Sequence, residues 1–230
     1  MLKLKKSIMI SFGLVLYCFV LTAHSETLVT DLSQDRIEIT SQFSGSELLL
    51  FGALERHATE SVQSDEIAVQ GLNYDIIVVV QSEPTDLVIR KKQKVAGIWI
   101  NNENQMVRGV PGYYAVGSTR PLNDFLSKED QVELGLGLEN LKIVNDGDEE
   151  IEEYKQALIR TMKERGLYKE KSGNVTVKNE ILFRANLTFP SNMPVGNYKA
   201  DIYLVRDGNI INYDDMVLPV DKRGVERFVY

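Results

Sequence analysis

Cysteine is nearly absent from this 230-residue chain. Cys18 is the only one, and histidine (His24, His57) and tryptophan (Trp99) are almost as rare. Cys18 and His24 both fall in residues 1–25, which read as a signal peptide rather than as part of the fold. Lys3, Lys5 and Lys6 form a positive start, and Ile8 to Leu21 is an apolar run broken only by Ser11 and Gly13. Ala23-His24-Ser25 then offers a small-residue cleavage pattern before Glu26. The run spans 14 residues, too short for a membrane-crossing helix, which needs roughly 20. Tyr17 stands where lipoprotein processing requires a small residue, so Cys18 is not expected to carry a lipid.

Each scarcity closes off a chemistry. Beyond the leader there is no cysteine, hence no disulfide, thiol nucleophile or thiolate metal site. His57 is the single histidine left, so two-histidine metal motifs are excluded and a Ser-His-Asp triad would need that one residue. The leader holds three lysines and no acid; the remaining 23 cations and 33 acids give the mature part a charge of −10. That charge argues against nucleic acid, whose phosphates ask for a broad basic face. Asn145-Asp146-Gly147-Asp148 is oxygen-rich but lacks calcium-loop spacing. No catalytic residue, metal ligand or cofactor motif emerges.

What is present is strand signal on both sides of a helical block. Arg36 to Thr40 alternates polar and apolar, Ser46 to Phe51 follows a turn at Ser44-Gly45, and Tyr74 to Val80 is a β-branched run apolar on both faces, as in a central strand. Leu87 to Asn101 predicts one long strand or two broken near Gly97, and Tyr113 to Val116 adds another. Ser127, with Asp130 three residues on, caps a helix reaching about Leu138. A second helix starts at the Asp148 cap and ends at Gly166, with Ile151, Tyr154, Leu158, Ile159 and Met162 on one stripe. Ile181 to Phe189, Tyr198 to Leu204 and Ile210 to Val220 are the closing strands, the last two joined by a tight Asp207-Gly208 turn.

Tyr198 follows a P-x-G corner and opens the penultimate strand, the place of the tyrosine corner in immunoglobulin-like domains. The predicted fold is therefore mainly β: an immunoglobulin-like antiparallel β-sandwich over residues 26–222, with a two-helix insertion at about 121–170. The strands before the insertion would supply A to D, and those after it E, F and G.

Four stretches carry a family resemblance: FSGSELLLFGAL (43–54), VIRKKQKVAGIWIN (88–101), GYYAVGSTRPL (112–122) and VDKRGVERFVY (220–230). Together, and in order, they resemble the Alph_Pro_TM family of alphaproteobacterial transmembrane proteins. The resemblance implies a signal peptide, an extracytoplasmic domain and a C-terminal transmembrane helix. It also implies a link to a sulfite-exporter-type permease, whose gene often neighbours those of the family. It brings no catalytic residues. Residues 223–230 would be the first turn of a membrane-proximal helix, although no apolar run follows in this chain. The expected location is the periplasmic face of the inner membrane, or the periplasm itself without the anchor.

The candidate site starts from RKKQK. Arg90, Lys92 and Lys94 share one face of the expected strand, and the charge on both of its faces excludes a central position. Lysines guarding a sheet edge explain the pattern; so does a positive stripe for an anionic partner such as lipid headgroups, an acidic loop or a small oxyanion. Arg120 could complete such a site, and Trp99, Asn101 and Tyr113 could border it. The expected function is non-catalytic: an extracytoplasmic accessory or interaction protein for a membrane partner, a permease, using Arg90 to Asn101 with Tyr113 to Arg120 as contact surface. A binding module for a small anion or glycan would instead show a concave basic pocket. A carboxylate-dependent hydrolase would show two acids across a cleft.

Overall fold

YDIIVVVQS, residues 74–82, is the driest run in the chain, and the rest of the fold is laid against it. A computed structural model describes residues 27–55, 74–145, 151–179 and 181–223. The expected signal peptide, His57, the Asp148 cap and the expected membrane-proximal turn, Arg223 apart, lie outside the described residues. In chain order the elements are β1 (Thr27–Leu32), β2 (Ile37–Ile39), β3 (Gly45–Glu55), β4 (Tyr74–Ser82), β5 (Pro84–Val95), β6 (Ile98–Pro111), β7 (Tyr114–Ser118), α1 (Lys128–Leu134), β8 (Val144–Asn145), α2 (Ile151–Glu164), β9 (Tyr168–Ser172), β10 (Val175–Lys178), β11 (Leu182–Pro190), β12 (Gly196–Arg206) and β13 (Asn209–Lys222). The fold is mainly β.

Two sheets face each other. One has the order β1-β3-β11-β10, antiparallel throughout; the other runs β2-β13-β12-β4-β7-β9, with parallel pairs at both ends. Strand β11 shows why the facing works: Phe183, Ala185, Leu187 and Phe189 are buried while the residues between them are exposed, the period-two signature of a strand with one wet face. Phe189 meets Tyr198 of β12 edge to face at 6.0 Å and Tyr113 at 5.3 Å. The inner face of β4 (Ile76, Val78, Val80) joins the same core.

The outer face of β4 is dry as well, because the helical block lies over that side of its sheet. α1 starts at Ser127, whose Oγ accepts from the Asp130 N–H at 3.0 Å, and ends at Leu134, four residues before the expected stop, with left-handed Gly135 as its cap. α2 buries Tyr154, Leu158, Ile159 and Met162, the predicted stripe less Ile151. Gly166 (φ 71°) ends it: its N–H bonds the Lys163 carbonyl, and the Leu167 N–H bonds that of Met162, the paired bonds of a Schellman stop. The Tyr114 hydroxyl donates to the Gly135 carbonyl and accepts from the Gly137 N–H, fastening the block to β7.

One expectation is corrected. The helices sit between β7 and β9, and the fourth strand of the first sheet, β10, comes after them rather than before. The sequence does not announce β9 (YKEKS) and β10 (VTVK), since both are short and half polar. Tyr198 is fully buried and donates to the Pro194 carbonyl at 2.7 Å. Asp207 and Gly208 form the hairpin turn, both with positive φ. Replacing Tyr198 by Phe leaves that part-buried carbonyl without its donor. The expected loss is about 1–2 kcal/mol, read as a lower urea midpoint at unchanged slope; an unchanged midpoint would show that the corner bond contributes nothing net.

Candidate functional site

The strip RKKQK runs up a projecting hairpin. β5 and β6 pair from Pro84↔Pro111 to Val95↔Ile98, closed by Ala96 and Gly97, both with positive φ. Near the base, Leu87 and Ile89 pack on the core opposite buried Val107. Beyond Arg90 the described residues are exposed on both faces for about 20 Å of arm, at roughly 3.3 Å per residue. β5 is an edge strand of the three-stranded sheet β5-β6-β8, so lysine guarding and partner binding both fit its position.

The distal arm is two-faced. Arg90, Lys92 and Lys94 alternate onto one side, exposed and without a carboxylate partner among the described residues. The other side carries Val95, Ile98 and Ile100, which are 48%, 68% and 41% exposed. Trp99 is the backbone partner of Lys94, and Asn101 that of Lys92; the side chains of both lie outside the described residues. The pairing slips by one residue between Lys91 and Lys92, a bulge that adds local twist.

Tyr113 and Arg120 do not belong to this surface. Tyr113 is 1% exposed; its ring packs in the sandwich and its hydroxyl donates to the Thr188 carbonyl. Arg120 is engaged at the opposite end of β4 from the arm. Its Nε and Nη2 donate to both oxygens of buried Asp75 at 2.7–3.1 Å, its Nη1 to the Asp124 carbonyl, and its plane lies over Phe125 at 5.1 Å. Thr119 adds a third donor to Asp75 at 2.7 Å. The geometry is bidentate, as expected, but the anion is the protein's own. Seven residues separate Asp75 from Ser82, where the arm departs, a distance of roughly 23 Å along a strand. That length divides the expected single surface in two.

A polar group not singled out in the sequence lies on the outer face of β12 and β13. Lys199 Nζ approaches Asp201 Oδ1 at 2.9 Å and Asp215 Oδ2 at 3.7 Å, and donates to the Tyr213 hydroxyl at 2.8 Å. Tyr213 in turn donates to Asp201 at 2.5 Å. The bonds to Tyr213 and Asp201 hold Lys199 well above its ordinary pKa, against the smaller effect of burial. Tyr203, its ring tilted against that of Tyr213 at 5.2 Å, is pushed up to about 12, by burial first and then by Asp201. Lys199, Asp201 and Tyr203 line a cleft of about 520 Å³ roofed by Leu134 to Lys142. Lys199 therefore bridges Asp201 and Asp215, which are cross-strand partners on β12 and β13. Only the strand alternation K-A-D-I-Y hinted at the cluster; its partners on β13 come from the hairpin register.

Two checks follow from these ion pairs. Arg120→Met should cost about 1–3 kcal/mol in chemical denaturation, a range reduced for a half-exposed guanidinium, while Arg90→Met should cost nothing measurable. Equal effects would contradict the division drawn between the two arginines. For Tyr203 the folded pKa lies above the ordinary 10.0, so its contribution is full below pH 10 and is lost as pH rises towards 12. Urea midpoints across that window should fall less steeply in Tyr203→Phe; identical slopes would remove Tyr203 from the account.

A family model, Alph_Pro_TM, described as "putative transmembrane protein", matches residues 27–230. No curated protein and no solved structure matches the chain. Among the described residues no helix is long and apolar enough to cross a membrane.

Proposed function

The chain belongs to that family, and on this premise we propose that it is a non-catalytic, extracytoplasmic interaction protein held at a membrane, with the β5–β6 arm as its contact element. The supporting observation is the arm's composition. Val95, Ile98 and Ile100 sit exposed on one face of a free hairpin, and Arg90, Lys92 and Lys94 on the other. Water gives no reason to place isoleucines there, and among the described residues these cations have no carboxylate partner; a binding partner supplies both. The domain behind the arm serves as a rigid platform. In this reading, with the arm and the helical block set aside, the orders β1-β3-β11-β10 and β13-β12-β4 are taken as strands A-B-E-D and G-F-C of an immunoglobulin-like sandwich, and Tyr198 as its corner; the strand orders and the Tyr198 bond support it.

The partner in this reading is an integral membrane protein, a permease of the sulfite-exporter type, offering an acidic loop beside an apolar surface. Photo-crosslinking from position 98 of the full-length protein in its native membrane is the direct test, with the products identified by mass spectrometry. One recurrent permease is expected. Lys92→Glu, Lys94→Glu and Ile98→Asp combined should reduce its recovery by about tenfold or more without moving the melting temperature. Undiminished recovery from that variant, or a chain that crosslinks to nothing, would sink the reading.

A further inference from the structure

Strand β9 reads YKEKS, and its alternation points two lysines the wrong way for a sandwich. β9 pairs in parallel with β7, in the register Ala115↔Lys169 and Gly117↔Lys171, so each lysine shares a face with its partner. The opposite face, with Tyr114 and Glu170, is the one that meets the helical block: Tyr114 at Gly135, and Glu170 at the Leu138 N–H. Lys169 and Lys171 therefore look towards the other sheet. There is room for them because β10 is short. It pairs only with Leu182 to Ala185 of β11, leaving Asn186 to Phe189 without a strand neighbour on that side among the described residues, and the cleft there is lined from both β7 and β9.

The gap is a cleft of about 360 Å³, walled by Lys169, Lys171, Arg184, Asn174, Asn186 and Glu47. Three cations face one acid here, in a chain whose net charge is −7. None of the three has a carboxylate partner among the described residues: Lys169 donates to the Thr188 carbonyl at 3.0 Å, and Arg184 Nε to Thr176 Oγ1 at 3.2 Å. Contrast Arg120 and Lys199, each of which has recruited an acid. The floor is formed by Asn174, for which glycine at 117 leaves the space. The Asn174 amide lies where a Cβ at 117 would sit, at 2.2–2.7 Å, and its Oδ1 is buried without a donor.

We propose that this cleft is a binding site for a small oxyanion, a sulfate, phosphate or carboxylate group, held by Lys169, Lys171 and Arg184 with the Asn174 amide beneath it. The chemistry is that of charge-assisted hydrogen bonds converging in a concave, partly dehydrated site. It is separate from the arm, and neither proposal depends on the other.

Titration of the ¹⁵N-labelled chain with sodium sulfate and with sodium phosphate, at ionic strength fixed by sodium chloride, tests it. Saturable shifts at the amides of Gly117, Gly173 and Asn174 are expected. Lys171→Met, an exposed residue whose loss should leave the melting temperature unchanged, should weaken binding by about tenfold, as should Lys169→Met. Lys169→Arg should retain it. Shifts that never saturate and spread over lysines elsewhere would mean charge screening alone and overturn the proposal. So would an affinity that both Met variants leave intact, which would make the lysines guards of an exposed sheet edge.

Discussion

Strand β4 has water on neither side, and that constraint organises the molecule. From Tyr74 to Val80 every residue is buried, because the sandwich closes over one face and the helical block over the other. A strand in that position must be apolar throughout, which accounts for IIVVV. It must also neutralise whatever polar group its ends carry inside. Asp75 is such a group, and it is neutralised by Arg120 and Thr119, brought back by β7 forty-five residues later in the chain. The cost of leaving a carboxylate dry and unpaired exceeds that of committing an arginine to it. Arg120 is thus held by the core strand and is not available to a ligand.

The helical block is the means by which the second face is kept dry. Its two helices are short and have sequence signals of their own, Ser127 at one start and Gly166 at one end. What fixes them in place is Tyr114, whose ring meets Tyr168 and whose hydroxyl bonds the backbone on both sides of Leu136. Tyr113 and Tyr114 consequently serve opposite layers, one in the sandwich and one beneath the helices. A pair of adjacent tyrosines on a strand can only do this, since consecutive side chains leave on opposite faces.

Much of this was written in local pattern. The β4 run, the alternation of β11, the Asp207-Gly208 turn and the α2 stripe less Ile151 are short-range signals, and each appears where local pattern put it. What could not be read was long-range. Nothing local to Arg120 marks Asp75 as its partner, and nothing in YKEKS says which face looks inward until its parallel register with β7 is known. The same holds for the candidate site. The cations of RKKQK were legible as a cluster, but the arm that carries them away from Arg120 is a product of hairpin register and of the length of β4. The Lys199 group escaped notice because its four members lie on two strands and acquire meaning only when those strands pair.

The pairing of β2 with β13 has a mechanical side. These strands run parallel, through Val220↔Ile37, Asp221↔Glu38 and Lys222↔Ile39, and Arg223 extends the contact with its side chain on Glu38 and its N–H on the Ile39 carbonyl. Tension drawn along the chain beyond β13, resisted from the start of β2, would slide the two strands past each other. It would not peel them apart. In shear the rungs share the load and must yield together, whereas an antiparallel hairpin pulled from its open end gives way one rung at a time.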